Sequence, residues 1–528
     1  MQLRATASNE ATTERGLKAL VWDGIFSQAL GVFTGGTLLT GCALELGASP
    51  AFIGLLAAIP FFAQLAHVPA VVLIEKVRRR RAICLVATLI ARLMLLPLAA
   101  VPFIADRDLA LSLLLAAFAV LTPLGAVGGC AWMSWTCDLV PHHRLGDVFG
   151  GRQLRSNIAA VAAGLLGGAV INGWGRGFPS WHAGAYAVIF ALALAAAMAS
   201  TWCLTRMPEV PMPPPRPTRL RALFARPFRE ANFRRVMTFL GCWQFAANLA
   251  LPLFPVYLVK QLNYGITTAI ALGIVSQLAM IAAVPLWGRL SDQWSNKTVI
   301  ALVGPLFLCC PIGWTLAVVP APHALTLPIL VVLQMVLGTA LAGLDLAGGN
   351  IVLKLAPRGE STVFLGANGL VKSLCAGCAP IIGGFLIDHL TALDLPFLPV
   401  WAGSRILGLH PWSFFFLATA LLGVVALTRL SRVEESGDAR LGVVFVAARR
   451  ALIAALRPAA AAGVAHAAAQ GGGPIELLLG EAEPRHASER TLRDGHIGMP
   501  ANDGDDIAAA VIARAIDAKL GAGLRRAG

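Results

Sequence analysis

Residues 207–233, Met-Pro-Glu-Val-Pro-Met-Pro-Pro-Pro-Arg-Pro-Thr-Arg-Leu-Arg-Ala-Leu-Phe-Ala-Arg-Pro-Phe-Arg-Glu-Ala-Asn-Phe, divide the chain in two. Prolines at 211, 213, 214, 215 and 217 deny this stretch a continuous helix, since each ring removes an amide N–H and crowds the preceding turn. Eight arginines lie between Arg206 and Arg235, so the divider stays in water. On both sides the composition changes at once to long apolar runs. The whole chain of 528 residues is 57% hydrophobic and only 13% charged, with mean hydropathy +0.72, which leaves too little charge to cover a water-soluble globule. Its main solvent is lipid.

A helix needs roughly 20 apolar residues to cross about 30 Å of hydrocarbon. Runs of that kind occur near 18–45, 50–74, 82–104, 109–135, 153–173 and 181–205 before the divider, and near 236–261, 266–290, 297–319, 325–353, 366–388 and 411–431 after it. The fold expected is an all-α polytopic membrane protein of twelve transmembrane helices in two six-helix repeats. Its parts are an N-terminal segment 1–17, a bundle 18–206, a linker 207–235, a second bundle 236–432 and a tail 433–528. No cleavable leader is expected, because the polar start (Arg4, Glu10, Glu14, Arg15, Lys18) runs straight into a full-length span.

The net charge of +14 is distributed unevenly. The loops on one side hold about 20 Lys and Arg, and those on the other about four (Arg107, Arg176, Lys260, Arg405). That bias places both termini in the cytoplasm. It also accounts for the basic charge without nucleic acid, for which no groove-reading or aromatic basic patch is present. Ten cysteines are scattered through mostly apolar runs and imply no disulfide framework; Cys375 and Cys378 read as a small-residue packing face rather than a redox pair. The tail is Ala/Gly-rich with charge of both signs, and 441–456 and 507–524 are candidate amphipathic helices in an otherwise disordered segment.

Three landmarks repeat at one spacing. Glu75-Lys76-Val77-Arg78-Arg79-Arg80-Arg81 follows span two, and Gly288 through Asp292 to Lys297 follows span eight, with the acids 217 apart. Leu139-Val140-Pro141 returns as Leu355-Ala356-Pro357, and Gly167-Gly168-Ala169-Val170-Ile171-Asn172 as Gly383-Gly384-Phe385-Leu386-Ile387-Asp388, both at an offset of 216. Each copy holds an even number of spans, so the halves share one orientation in the membrane.

These features resemble the major facilitator superfamily over about residues 18–432. The family's motif in the loop between helices 2 and 3, Gly-x-x-x-Asp-[Arg/Lys]-x-Gly-[Arg/Lys]-[Arg/Lys], falls on Val71 to Arg80, with Val71 and Arg78 in place of the two glycines and Glu75 for the acid. The second copy keeps Gly288 and Asp292, has Gln293, Ser295 and Asn296 in place of the following motif residues, and ends on Lys297. The resemblance implies that Glu75, Arg79, Arg80, Asp292 and Lys297 latch the cytoplasmic side. The family's antiporter pattern in span five is Ala163-Gly164-Leu165-Leu166-Gly167-Gly168 here, and its proline appears as Pro380 in span eleven. That distribution slightly favours export over uptake.

Ionisable side chains inside spans cost upward of about 2.5 kcal/mol, so each calls for a reason. Asp23, Ser27, Gly31 and Thr34 form one stripe on span one, and Gln334, Gly338, Ala342 and Asp345 another on span ten. Gln244 and Asn248 lie one turn apart on span seven, and Trp132 and Trp135 offer ring faces on span four. The family resemblance places spans 1, 4, 7 and 10 around a central cavity. The expected transport cavity is therefore Asp23, Ser27, Thr34, Trp132, Gln244, Asn248, Gln334 and Asp345. Asp345, with Asp23 as the alternative, is the candidate proton carrier. A pairing of Asp345 with Lys372 is the structural alternative to that role. Arg92 reads as a structural partner on a peripheral span.

The expected activity is proton-coupled secondary transport of a small organic solute by a monomer in a bacterial inner membrane, with no cofactor and no metal. No Walker-type loop is present to supply ATP-driven work. A non-transporting scaffold or pigment-delivery protein, or a flippase for an amphiphile, on the same fold is the alternative.

Overall fold

The computed structural model describes residues 2–141, 144–210, 212, 226–318, 322–357, 361–392 and 410–435. The candidate amphipathic segments at 441–456 and 507–524 lie outside the described residues, as does most of the proline run. Among the described residues the secondary structure is helical throughout, because backbone N–H and C=O groups in hydrocarbon must pair within their own segment.

Among the described residues, twelve helices are long and apolar enough to cross a membrane: α1 Glu14–Glu45, α2 Pro50–Val77, α3 Arg80–Phe103, α4 Arg107–Leu139, α5 Leu145–Gly177, α6 Gly184–Arg206, α7 Ala231–Gln261, α8 Ile266–Gln293, α9 Asn296–Leu316, α10 Thr326–Leu355, α11 Val363–Ala392 and α12 Pro411–Leu430. Several begin earlier than hydropathy suggests. Helix runs from Gln2 into α1, α5 starts eight residues before the apolar run at 153, and α7 starts at Ala231 inside the expected linker. α1 is interrupted after Phe33, where Gly35 is extended and Gly36 takes φ +52, a conformation that favours glycine.

Helix packing repeats as the sequence does. In the first half α1 packs on α5 and α6, while α4 packs on α2 and α3; in the second, α7 packs on α11 and α12, while α10 packs on α8 and α9. Contacts of unequal closeness join the halves. α2 meets α11 backbone to backbone: a Cβ at Gly54 would lie 2.0 Å from the Pro380 carbonyl oxygen, and one at Gly384 would lie 2.4 Å from that of Pro50. The related pair, α5 and α8, is looser and meets through side chains: the same construction gives 3.4 Å from Gly164 to Ile274 and 4.0 Å from Gly168 to Ile270. Small residues permit this approach where no hydrophobic drive between helices exists.

The ends of the helices are capped by the other parts of the chain. The first turn of α2 directs Phe52 N–H to Ser49 Oγ and Ala51 N–H to Asp388 Oδ2 of α11, at 2.9 Å. Pro50 has no N–H, so this turn has its donors engaged. Lys260 Nζ of α7 donates to the Ala48 carbonyl at 2.8 Å. Both inter-half bonds lie at the end of the bundle away from Glu14 and Glu435.

Candidate functional site

The expected cavity residues occupy three cavities rather than one. Asp23, Ser27, Thr34 and Trp132 line a cavity of about 520 Å³ inside the first half, between α1 and helices α2, α3 and α4. The stripe read from span one is thus a cavity wall. Gln244, Asn248 and Asp345 line a cavity of about 190 Å³ with Lys372, and Phe61 of α2 closes it from the other half. Gln334 is buried beside a separate cavity of about 190 Å³ between α7, α8 and α10.

Asp345 and Lys372 share a cavity wall without forming an ion pair within 4.0 Å. Asp345 is exposed to the cavity space, which separates it from a packed structural pair. Asp23 is the opposite case. Only 3% exposed, it accepts a hydrogen bond from Ser200 Oγ at 2.5 Å and lies 3.8 Å from Arg152 Nη2. Arg92 donates to Ser200 Oγ at 2.7 Å and to Thr201 Oγ1, so α1, α3, α5 and α6 meet at one buried polar centre. Arg92, read as structural from the sequence, both holds this centre and lines the cavity.

Several residues escape the sequence reading. Arg152 reads as a loop base because the apolar run begins at 153, yet α5 starts at Leu145 and carries Arg152 two turns inside. Ser200 sits in an alanine-rich run, where a single hydroxyl gives no periodic signal. Gln28 of α1 and Gln277 of α8 face a cavity of about 470 Å³ between the halves. Each is a lone amide in an apolar span, a signal available in the sequence. Trp135 is no ligand platform: it is fully buried and its indole N–H donates to the Pro208 carbonyl at 2.9 Å.

The expected latch residues are spread over two loops. Arg80 is 3% exposed and ties the end of α4 to the segment after α6, donating to Asp138 Oδ2 at 2.6 Å, Ser134 O at 2.8 Å and Val210 O at 3.1 Å. Glu75, Arg79 and Asp292 are exposed. Arg78, which stands at a motif glycine, has φ 59 at the end of α2 and donates to Met212 O at 3.2 Å. In the second half the acid that organises the matching loop is Glu435. It accepts from Asn296 N–H at 3.3 Å, Lys297 N–H at 2.7 Å, Asn296 Nδ2 at 2.9 Å and Lys354 Nζ at 3.0 Å. Ser295 Oγ takes Thr298 N–H, so the first turn of α9 is capped by two side chains. Burial pushes the Glu435 carboxyl up, but these donors outweigh it and hold the group below its usual range.

The model of the Major Facilitator Superfamily matches residues 22–327. Among solved structures, the nucleoside transporter NupG superposes with TM-score 0.57 at 14% identity, covering 80% of this chain and 98% of that one. The D-xylose-proton symporter gives TM-score 0.57 at 13% identity, covering 80% and 99%. A bacterial homolog of the human lysosomal transporter Spinster, inward-facing and occupied, gives TM-score 0.57 at 16% identity, covering 80% and 97%. At such identities the likeness concerns the fold alone. No curated protein matches the chain by sequence. The family match spans more than half of the chain, and the duplicated helix packing agrees with it: the chain belongs to the major facilitator superfamily.

Proposed function

We propose that this secondary transporter moves a small organic solute by alternating access and couples that movement to protons through Asp345. The observation that carries the reading is a carboxylate inside a span, exposed to a cavity lined by α7, α10, α11 and by Phe61 of the other half, with a lysine on the same wall beyond ion-pair distance. An acid so placed is costly unless it works, and rocking of the halves would wet it from one side at a time. The D-xylose-proton symporter of the same fold supports the coupling. Asp23 serves the role less well, since its oxygens face Ser200 and Arg152.

With both termini in the cytoplasm, the contacts at Asp388 and Lys260 would close the outer end, and the state described would be an inward-open one. The loops carrying Glu75, Arg79, Arg80, Asp292 and Lys297 would then lock the inner end when it closes. Export is the direction favoured, in a bacterial inner membrane. In proteoliposomes, Asp345→Asn is expected to abolish solute accumulation driven by a pH gradient and to preserve solute exchange, which needs no net proton movement. Full gradient-driven accumulation by Asp345→Asn would overturn the coupling role.

A further inference from the structure

The cavity of the first half carries a charge imbalance that the proton-coupling site does not use. Asp23, Arg92 and Arg152 face it, so two cations stand against one anion. Their depths decide what a ligand meets. Asp23 lies beneath, with one oxygen on Ser200 and the other toward Arg152. Arg92 is engaged by the hydroxyls of Ser200 and Thr201. Arg152 is the outermost of the three, with 16% of its side chain exposed. Its Nε donates to the Leu20 carbonyl at 3.3 Å, and its terminal nitrogens make no hydrogen bond among the described residues. The guanidinium is held over the Trp132 ring, 4.5 Å from its centroid. Stacking and the Nε bond fix the plane of the fork; Nη2 faces the Asp23 carboxylate at 3.8 Å, beyond hydrogen-bond distance, and Nη1 has no acceptor among the described residues, so the fork keeps donors for an anion. The rest of the lining mixes apolar side chains, Leu30, Pro60 and Leu121 among them, with the polar Ser27, Gln64 and His67.

We propose that this cavity is a recognition subsite for organic anions: Arg152, backed by Arg92 and stacked on Trp132, takes a carboxylate or phosphate, and the apolar part of the lining, Leu30, Pro60 and Leu121, takes an apolar body. About 520 Å³ suits a ligand of drug size. A cation of the same shape would meet two guanidiniums and a single carboxylate already held by Ser200 and Arg152. The proposal deepens the transporter reading by naming the substrate class, and rests on it only for the step of movement.

Three probes with one ring system separate charge from shape: 1-naphthoate, 1-naphthyl phosphate and 1-naphthylmethylammonium. With the purified full chain in zwitterionic-lipid nanodiscs, the two anions are expected to raise the unfolding temperature saturably and the ammonium to leave it unchanged. Arg152→Gln should weaken naphthoate binding by roughly tenfold or more, and Arg152→Lys should keep part of it. Because Arg152→Gln strands Asp23, the double variant Asp23→Asn, Arg152→Gln removes both charges and is the decisive form if the single variant fails to fold. Equal stabilisation by the ammonium, or wild-type affinity for naphthoate in the double variant, would overturn the site. Counterflow of labelled naphthoate in liposomes tests movement separately. Binding without counterflow refutes naphthoate transport and supports the site, whereas counterflow of anion and ammonium alike refutes the site and supports transport.

Discussion

Arg78 and Glu435 show how much a single position does at the loop ends. Arg78 occupies a left-handed conformation at a place where the family motif has glycine, and a Cβ there costs roughly 1 kcal/mol. Two variants without the guanidinium isolate that cost: Arg78→Gly is expected to be more stable than Arg78→Ala by about 1 kcal/mol, read by thermal unfolding in detergent. Equal stabilities would show that the backbone is not strained. Glu435 binds α9 and Lys354 as a carboxylate, and its folded-state pKa is depressed, so its contribution is complete above the ordinary value of 4.5 and is lost as pH falls through the depressed one. Glu435→Gln is expected to cost about 1–3 kcal/mol at pH 7. The gap between variant and wild type should narrow below about pH 4.5. A gap that is constant down to acid pH would contradict the assignment.

At the scale of elements, the closed end depends on one helix capping another across the halves. Asp388 of α11 engages the first turn of α2, where the partial positive charge of the helix N-terminus favours a carboxylate. The same site in the first copy of the repeat is Asn172, and only the second copy bears the charge. Removing a capping acid costs about 0.5–2 kcal/mol. Asp388→Ala is thus expected to shift the population toward the state open at this end by roughly twofold to thirtyfold. Spin labels across the α1–α2 and α11–α12 loops would report a longer distance distribution. An unchanged distribution would assign the closure to the Gly54 and Gly384 packing instead.

Across the whole molecule, the proposed orientation rests on charge placement, and the proposed inward-open state on that orientation together with the contacts at one end. A fluorescent-protein fusion after residue 435 is expected to fluoresce and an alkaline phosphatase fusion there to be inactive, as for a cytoplasmic terminus. The reverse pattern would invert the assignment of the closed end. Apolar runs, the divider and the 216-residue repeat by themselves determined twelve helices in two related halves, because lipid leaves a long apolar segment no other structure. They also determined the stripe of Asp23, Ser27 and Thr34, since helical spacing depends on local sequence only. Only the tertiary structure decided that Arg152 belongs to that stripe's cavity, that Ser200 joins Asp23 to Arg92, and that Glu435 rather than Asp292 organises the loop at α9. The bonded partners among these are 108 to 177 residues apart, and Arg152 lies just outside an apolar run. Hydropathy reports the solvent of a segment and carries no information about which polar groups converge once the helices pack.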